Sequence, residues 1–544
     1  MSNDDTWHVA RLIPTSGING QDEAERRATS ALLAVASIVR EFGLSLVKPL
    51  GAPSSALETF IEVPFKVEER KVIPDGLIRA RRGTKTWVAL VEVKTGTSHL
   101  ERAQLEDYLD VAREQGFDAV LTISNEISHA PGVHPTAVDR RRLKKVALYH
   151  YSWSEILTLA VQHRVWRGVA DPEQAWILGE LIRYLEHPKS GATDFADMGE
   201  PWTAVRDSVA HGTLRASDRG LAEVVQRWEQ LLQFAALRMG RQLGAEVEVV
   251  RNRKEKDDPT IRLAAQTAEL VERGRLTGSI RIPQAINDIA VVADVRAGRV
   301  HVSVDVAAPT EGRQATRVGW LLRQLKDAPD QLRIDSWSVM SRHSMSELLS
   351  VARATPERLI EDPKKDLRSF RITATSALGT KRGAGRGGFI DSVLSALEGF
   401  YEIVVQDLRP WVAKAPQLPS SGRSAVEEAG IDLKTPPSDL QDTHDEVDDE
   451  ASDVIADDGS VIGAPVDHEL GAEPVEIVEQ LGEADGDFGL LEVSSGDERV
   501  EDANHGDEDD TAQLMSWASV AERDDSSDQG STNESAPFDS PPIQ

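Results

Sequence analysis

Ile73-Pro-Asp-Gly-Leu-Ile-Arg-Ala-Arg-Arg-Gly-Thr-Lys-Thr-Trp-Val-Ala-Leu-Val-Glu-Val-Lys94 is the stretch on which the reading of this chain turns. It contains two strand-like runs, Lys71–Arg81 and Thr86–Thr95, joined by a short turn at Gly83-Thr84. In the second run a period of two puts Val88, Leu90, Glu92 and Lys94 on one face and Ala89, Val91 and Val93 on the other. Two charges therefore continue an otherwise hydrophobic face. Burying charge costs on the order of several kcal/mol unless it is paired or bound to a metal, so a strand selected only for stability would not carry them there. A turn centred on Gly83-Thr84 pairs Arg82 with Lys85 and, in the same register, sets Asp75 opposite Glu92. Directly opposed residues have Cβ atoms about 4.5–5.5 Å apart. Two carboxylates so placed repel each other unless a cation sits between them, and hard oxygen ligands favour Mg²⁺ or Mn²⁺.

Working outward, residues 21–42 read as a helix with Ala28, Leu32, Val35, Ala36 and Val39 at helical spacing and Gly43 as its stop. Phe60–Val67 reads as a strand whose Pro64 argues for an edge position. After the hairpin come a helix over Leu100–Gln115 and a buried strand, Ala119–Ser124. Helix, strands, helix, strand is an α/β pattern with a mixed sheet. The acid-x-Lys triplet occurs four times, at Glu69/Lys71, Glu92/Lys94, Asp362/Lys364 and Asp432/Lys434, but only Glu92/Lys94 lies inside an apolar strand.

The ordered set Ile73-Pro-Asp-Gly76, then Val91-Glu-Val-Lys94, with sixteen residues between Asp75 and Glu92, resembles the PD-(D/E)xK nuclease superfamily, whose restriction-endonuclease-like core has the same order of elements. Gln104-Leu-Glu-Asp-Tyr108 resembles the Q-x-x-x-Y motif of its RecB-like branch, and residues four apart share a helix face. The resemblance covers roughly residues 20–125. It implies Asp75 and Glu92 as ligands of Mg²⁺ or Mn²⁺, and Lys94 as the group that orients water or stabilises charge on the phosphate. It also implies an acidic residue from the first helix. Glu25 shares the face of residues 28, 32, 36 and 39, whereas Glu23 points elsewhere, although an uncertain helix end keeps Glu23 open. Gln104 and Tyr108 would contact the nucleic-acid backbone or brace the ligands. Blander readings stand beside these. Asp75 can be a turn residue, Glu92 and Lys94 an exposed edge-strand ion pair, and Gln104 and Tyr108 part of a plain surface helix. Glu62 is a further candidate ligand or a solvated strand residue.

The rest of the chain of 544 residues divides by composition. Residues 1–165 are expected to form the nuclease-like domain, 166–244 a helical connector, 245–415 a second α/β domain of unread function, and 416–544 a disordered acidic tail. The second domain shows strand patterns at Gly278–Ile282, Ile289–Val295, Val300–Val306 and Ser369–Ala374, and helices over Arg317–Lys326 and Ile390–Val405. Of the net charge of −30, residues 421–544 contribute 36 acidic against four basic side chains, while residues 1–420 carry 55 acidic and 57 basic. The body is thus nearly neutral, which leaves nucleic-acid binding open where basic residues cluster, as at Arg140–Lys145; Arg141 and Lys144 are the candidate phosphate contacts. Lys381-Arg-Gly-Ala-Gly-Arg-Gly-Gly388 precedes a helix and can cradle phosphate, but it lacks the Walker spacing and reads better as a flexible loop.

The absence of cysteine excludes disulfides and thiolate zinc sites and fits a reducing cytoplasm. There is no signal-like leader and no run of about 18 apolar residues, so no membrane partner is expected. The expectation is a Mg²⁺-dependent nuclease acting on DNA, with RNA open. The rival is a non-cleaving nucleic-acid-binding or regulatory protein that retains the fold. The tail can compete with nucleic acid for a basic groove or dock a protein through Leu514–Val520.

Overall fold

The hydrophobic runs of the N-terminal third come together as one mixed sheet in the computed structural model, which describes residues 8–9, 12, 21–67 and 70–413. The strands are β1 (His8–Val9), β2 (Leu57–Ile61), β3 (Phe65–Val67), β4 (Arg70–Val72), β5 (Gly76–Arg82), β6 (Lys85–Val93), β7 (Ala119–Ser124) and β8 (Ala147–Ser152). Their order is β1-β2-β5-β6-β7-β8, with β3 and β4 forming a separate hairpin. The β6–β7 and β7–β8 pairs are parallel and the others antiparallel. Helices α1 (Gln21–Ile38), α2 (Arg40–Val47), α3 (Arg102–Gln115), α4 (Trp153–Val161) and α5 (Pro172–Glu186) cover the sheet on both faces. Leu32, Val35, Trp153 and Leu178 pack with Ala89, Val91 and Val93 on one face. Tyr108, Leu109 and Ala112 of α3 pack with Leu77, Val88 and Leu90 on the other. The alternation read in β6 is therefore the partition between two cores, and β6 is buried because it lies inside the sheet.

Three elements are cut where the sequence suggested continuity. The expected helix over 21–42 breaks at Val39, and the chain turns by 110° into α2. Gly43 lies within α2 rather than ending a helix, and glycine is needed there because any Cβ would lie 2.0 Å from the Ala36 carbonyl oxygen. The run 60–67 divides between β2 and β3 at Glu62, which adopts a positive φ of 50° ahead of Pro64. The run 71–81 divides at Ile73-Pro74-Asp75, where proline cannot donate to the ladder. That break leaves Asp75 at the mouth of β5.

Residues 188–413 build a second sheet. After α6 (Trp202–Ala210) and α7 (Leu221–Leu243) come β9 (Glu248–Val249), α8 (Arg253–Asp257), α9 (Pro259–Arg273), β10 (Arg275–Arg281), β11 (Ile289–Asp294), β12 (Arg299–Ala307) and α10 (Gln314–Gln324). They are followed by β13 (Arg333–Ser338), β14 (Ser344–Leu348), α11 (Leu349–Ala354), β15 (Leu367–Ala377) and α12 (Phe389–Ile403). The strand order is β14-β13-β15-β12-β11-β10-β9, antiparallel throughout, with Trp228 and Leu232 of α7 and Phe389 and Leu397 of α12 in its core. β13 and β14 escape a sequence reading because the buried positions of β13 include Asp335, Ser336 and Ser338, which break the hydrophobic alternation. Both sheets belong to one compact unit, Met1–Lys414. Within residues 166–244, Leu178, Leu181 and Leu185 join the first core, whereas Val224, Trp228 and Leu231 join the second. Ile127, from the β7–β8 connection, is buried in the second core, and Arg251 donates to the His129 carbonyl at 2.8 Å. Among the described residues no single helix is long and apolar enough to cross a membrane. The acidic region 416–544, with Leu514–Val520, lies outside the described residues.

Candidate active site

The hairpin register is the one the turn dictates: Arg82 pairs with Lys85 and Gly76 with Val91. One step further along, Asp75 flanks Glu92. Because β5 leaves the sheet at Pro74, β6 lacks a backbone acceptor there, and Asp75 Oδ2 accepts the Val93 N–H at 2.8 Å in its place. Glu92 is 0% exposed, since β6 has neighbours on both sides and α3 above it, so an exposed edge-strand ion pair is not what the strand holds. Neither Glu92 oxygen accepts a well-formed hydrogen bond; the closest cation is Lys94, whose Nζ lies 2.7 Å from Glu92 Oε1. The same ammonium lies 3.5 Å from Glu25 Oε2, and Glu25 Oε1 accepts from Thr95 N–H at 3.4 Å. Lys94 thus bridges a carboxylate from β6 and one from the start of α1. The β6 end is held by the indole N–H of Trp153, which donates to the Lys94 carbonyl at 2.9 Å.

Electrostatics follow from this crowding. Burial, then the neighbouring Glu92 charge, raises the Asp75 carboxyl well above the usual carboxylate range. Burial also raises Glu92, against the pull of Lys94. Burial opposes the Lys94 charge, but the ion pair with Glu92, aided by Asp75 and Glu25, wins and lifts it to about 12. The Tyr108 hydroxyl is raised by burial and by Glu92 and Asp75. Without a further cation the two carboxyls tend to share a proton; a divalent ion would replace it. Asp75 beside Glu92, two carboxyls whose nearest cation is the single Lys94 ammonium, fits a hard cation by its donor chemistry. Among the described residues no three His, Cys, Asp or Glu side chains converge as a metal-ligand group.

The other anticipated residues are distributed as follows. Gln104 Nε2 donates to the Tyr108 hydroxyl at 2.9 Å, and that hydroxyl lies 3.4 Å from the Ile73 carbonyl, so the helix pair meets the Pro-Asp break from above. Glu23 pairs instead with Arg27 at 3.2 Å, and Glu62 with Arg26 at 2.7 Å. Arg141 and Lys144 are exposed beside a short 3-10 turn, Arg142–Lys144, which Arg142 anchors to Asp110 on α3; no contact carries them to Asp75 or Glu92. In the Gly-rich loop, Gly385 N–H donates to the Asp391 carboxylate and Lys381 Nζ to the Arg386 carbonyl, so the loop's own groups occupy the α12 N-terminus.

The sequence reading missed a polar row beside Glu92. The parallel registers align Glu92 with Thr122 and Thr122 with His150, on one sheet face. Thr122 Oγ1 lies 2.9 Å from His134 Nε2 and 2.8 Å from His150 Nδ1. Thr136 N–H lies 3.0 Å from His134 Nδ1, and His150 Nε2 is 2.7 Å from the Glu126 carbonyl. The neutral tautomers that satisfy both ends are His134 Nε2–H donating to Thr122, Thr122 O–H donating to His150 Nδ1, and His150 Nε2–H donating to Glu126. Burial pushes both imidazoles down, His150 to about 3, so they are neutral at pH 7. The only available signal was a lone Thr in an apolar strand; its alignment with Glu92 depends on a parallel register that sequence spacing does not define.

No family model, curated protein or solved structure matches this chain.

Proposed function

We propose that the protein is a metal-dependent nuclease of restriction-endonuclease-like fold, hydrolysing phosphodiester bonds in nucleic acid, with DNA as the favoured substrate. The observation that carries the reading is the pair of a half-buried Asp75 and a fully buried Glu92, two carboxyls with raised pKa set side by side next to a lysine that bridges Glu92 and Glu25. A structural role explains only part of it: Asp75 caps the Val93 N–H, but an uncharged acceptor would do that without the cost of a second carboxyl beside Glu92.

In this reading Asp75 and Glu92 hold a Mg²⁺ or Mn²⁺ ion, with Glu25 available across Lys94. The chemistry such an ion supplies is polarisation of the scissile phosphate and activation of water. Lys94, cationic across the working pH range, stabilises the charge that builds on the phosphate in the transition state. Tyr108 and Gln104 brace the Asp75 turn from α3. Attack is in line, by water, with no covalent enzyme intermediate.

The scarcity of convergent ligands favours one other reading, a nucleic-acid-binding protein that keeps the fold without cleaving. Cleavage of supercoiled, linear and single-stranded DNA, with Mg²⁺ or Mn²⁺ and beside EDTA, Asp75→Asn and Lys94→Ala controls, decides between them. Loss of cleavage in all three controls establishes the site. If no substrate is cut while DNA still binds, the binding reading stands.

A further inference from the structure

Between α4 and α5 the chain forms a π-helical turn, Gln162–Arg167, a geometry that is rare and recurs at functional sites. The turn carries a second cost: His163 is only 8% exposed, yet neither ring nitrogen has a hydrogen-bond partner. What the turn achieves is presentation. Val165 is 61% exposed and Trp166 52%, and Trp176 on the adjoining α5 is 59% exposed. Trp166 is not a loose side chain. Its indole N–H donates to the Arg241 carbonyl at 3.2 Å, and its ring lies against Gly244, where a Cβ would come within 2.3 Å of it. One side of the ring is thereby braced and the rest is left to solvent. Arg164 reaches over α5 at Gly179, its Nε 3.6 Å from where a Cβ would stand, one helical turn from Trp176. Neither Arg164 nor Arg167, both exposed, forms an ion pair among the described residues.

We propose that Trp166 and Trp176, with Arg164 and Arg167, form a binding surface for unpaired nucleic acid, separate from the Asp75–Glu92 site. Exposed rings held in place offer stacking to flat bases, and guanidinium groups without carboxylate partners call for phosphate. A duplex hides its base faces and would gain only the charge contribution. The surface draws Trp176 from α5, in the helical layer of α1, α4 and α5, and Trp166 from the turn braced on α7, whereas Glu92 lies on the sheet face that α3 covers. It would therefore hold a strand away from the cleavage site.

The test is fluorescence anisotropy of a labelled oligothymidylate on the full chain in EDTA, where cleavage plays no part, so the outcome is readable even if the nuclease reading fails. The Trp166→Ala/Trp176→Ala variant should bind at least roughly five- to a hundredfold more weakly, the loss of one base stack or more. An abasic oligonucleotide should bind wild type and variant with equal, weaker affinity, and a blunt duplex should not distinguish them. Trp176→Ala alone repeats the measurement should the Trp166 change disturb folding, since Trp176 is exposed, and Trp176→Phe should recover part of the affinity. Unchanged oligothymidylate affinity in both alanine variants, or an abasic strand bound as tightly as the base-bearing one, overturns the proposal.

Discussion

Asp75 Oδ2 accepts the backbone N–H of Val93 at 2.8 Å, so the side chain that adjoins Glu92 also completes the β6 ladder where β5 departs. One residue serves two ends, and two substitutions separate them. Asp75→Asn keeps an acceptor for Val93 and removes a charge that burial and Glu92 make costly. It is expected to abolish cleavage while raising stability in EDTA by roughly 1 kcal/mol. Asp75→Ala also abolishes cleavage but orphans the Val93 N–H, a loss of about 1–3 kcal/mol. Thermal melts of the three proteins in EDTA check this, and the idea fails if both variants move the same way.

Lys94 gives the opposite sign. Lys94→Ala leaves Glu92 buried without its ion pair and Glu25 without a near cation, a loss of about 3 kcal/mol for a pair this enclosed. Added Mn²⁺ should restore much of that stability by supplying the missing positive charge. Denaturant titrations with and without Mn²⁺ report it; a deficit indifferent to metal would argue that no ion binds beside Glu92.

Metal binding should be linked to protons. Because burial raises both carboxyls, and the Glu92 charge raises Asp75 further, the metal-free site should keep a proton to higher pH than a free carboxylate does, and that proton must leave as the cation enters. Affinity for Mn²⁺ is therefore expected to fall as pH drops, starting above the range in which an ordinary carboxylate titrates. Calorimetry in buffers of different ionisation enthalpy should register proton release. Binding that is independent of pH and buffer would mean that these carboxyls are not the ligands.

The Thr122 row makes acid sensitivity a property of the fold. His150 has a folded pKa of about 3, far below the unfolded value of about 6.5, so the unfolded chain binds more protons between them. Stability contributed this way is present above about pH 6.5 and is lost as pH falls toward 3. His150→Gln should lose less stability than wild type between pH 7 and pH 5, although it starts lower. Parallel pH–stability curves for the two proteins would remove His150 as the cause.

Much of the site was legible before the fold because it rests on local geometry. A two-residue turn at Gly83-Thr84 sets an antiparallel register, and that register alone aligns Asp75 with Glu92. Helical spacing likewise put Gln104 over Tyr108 and chose Glu25 over Glu23. The breaks at Val39, Glu62 and Pro74 were not legible. Each depends on which surface the next element must cover, and residues that suit a strand or helix also suit its interruption.

What the sequence determined by itself is therefore what short-range periodicity and turn chemistry can carry: the β5–β6 hairpin, its two faces, and the carboxyl pair at its end. What only the tertiary structure decided is what depends on contacts distant in the chain. The parallel addition of β7 and β8 buries Glu92, sets Thr122 beside it and brings His134 and His150 onto Thr122. The packing of the π turn against α7 brings Trp166 onto Gly244 and leaves its ring open to solvent. The physical reason is that a crossover or a helix packing leaves the register of its partners free until the core closes around them, whereas a tight turn admits one register from the start.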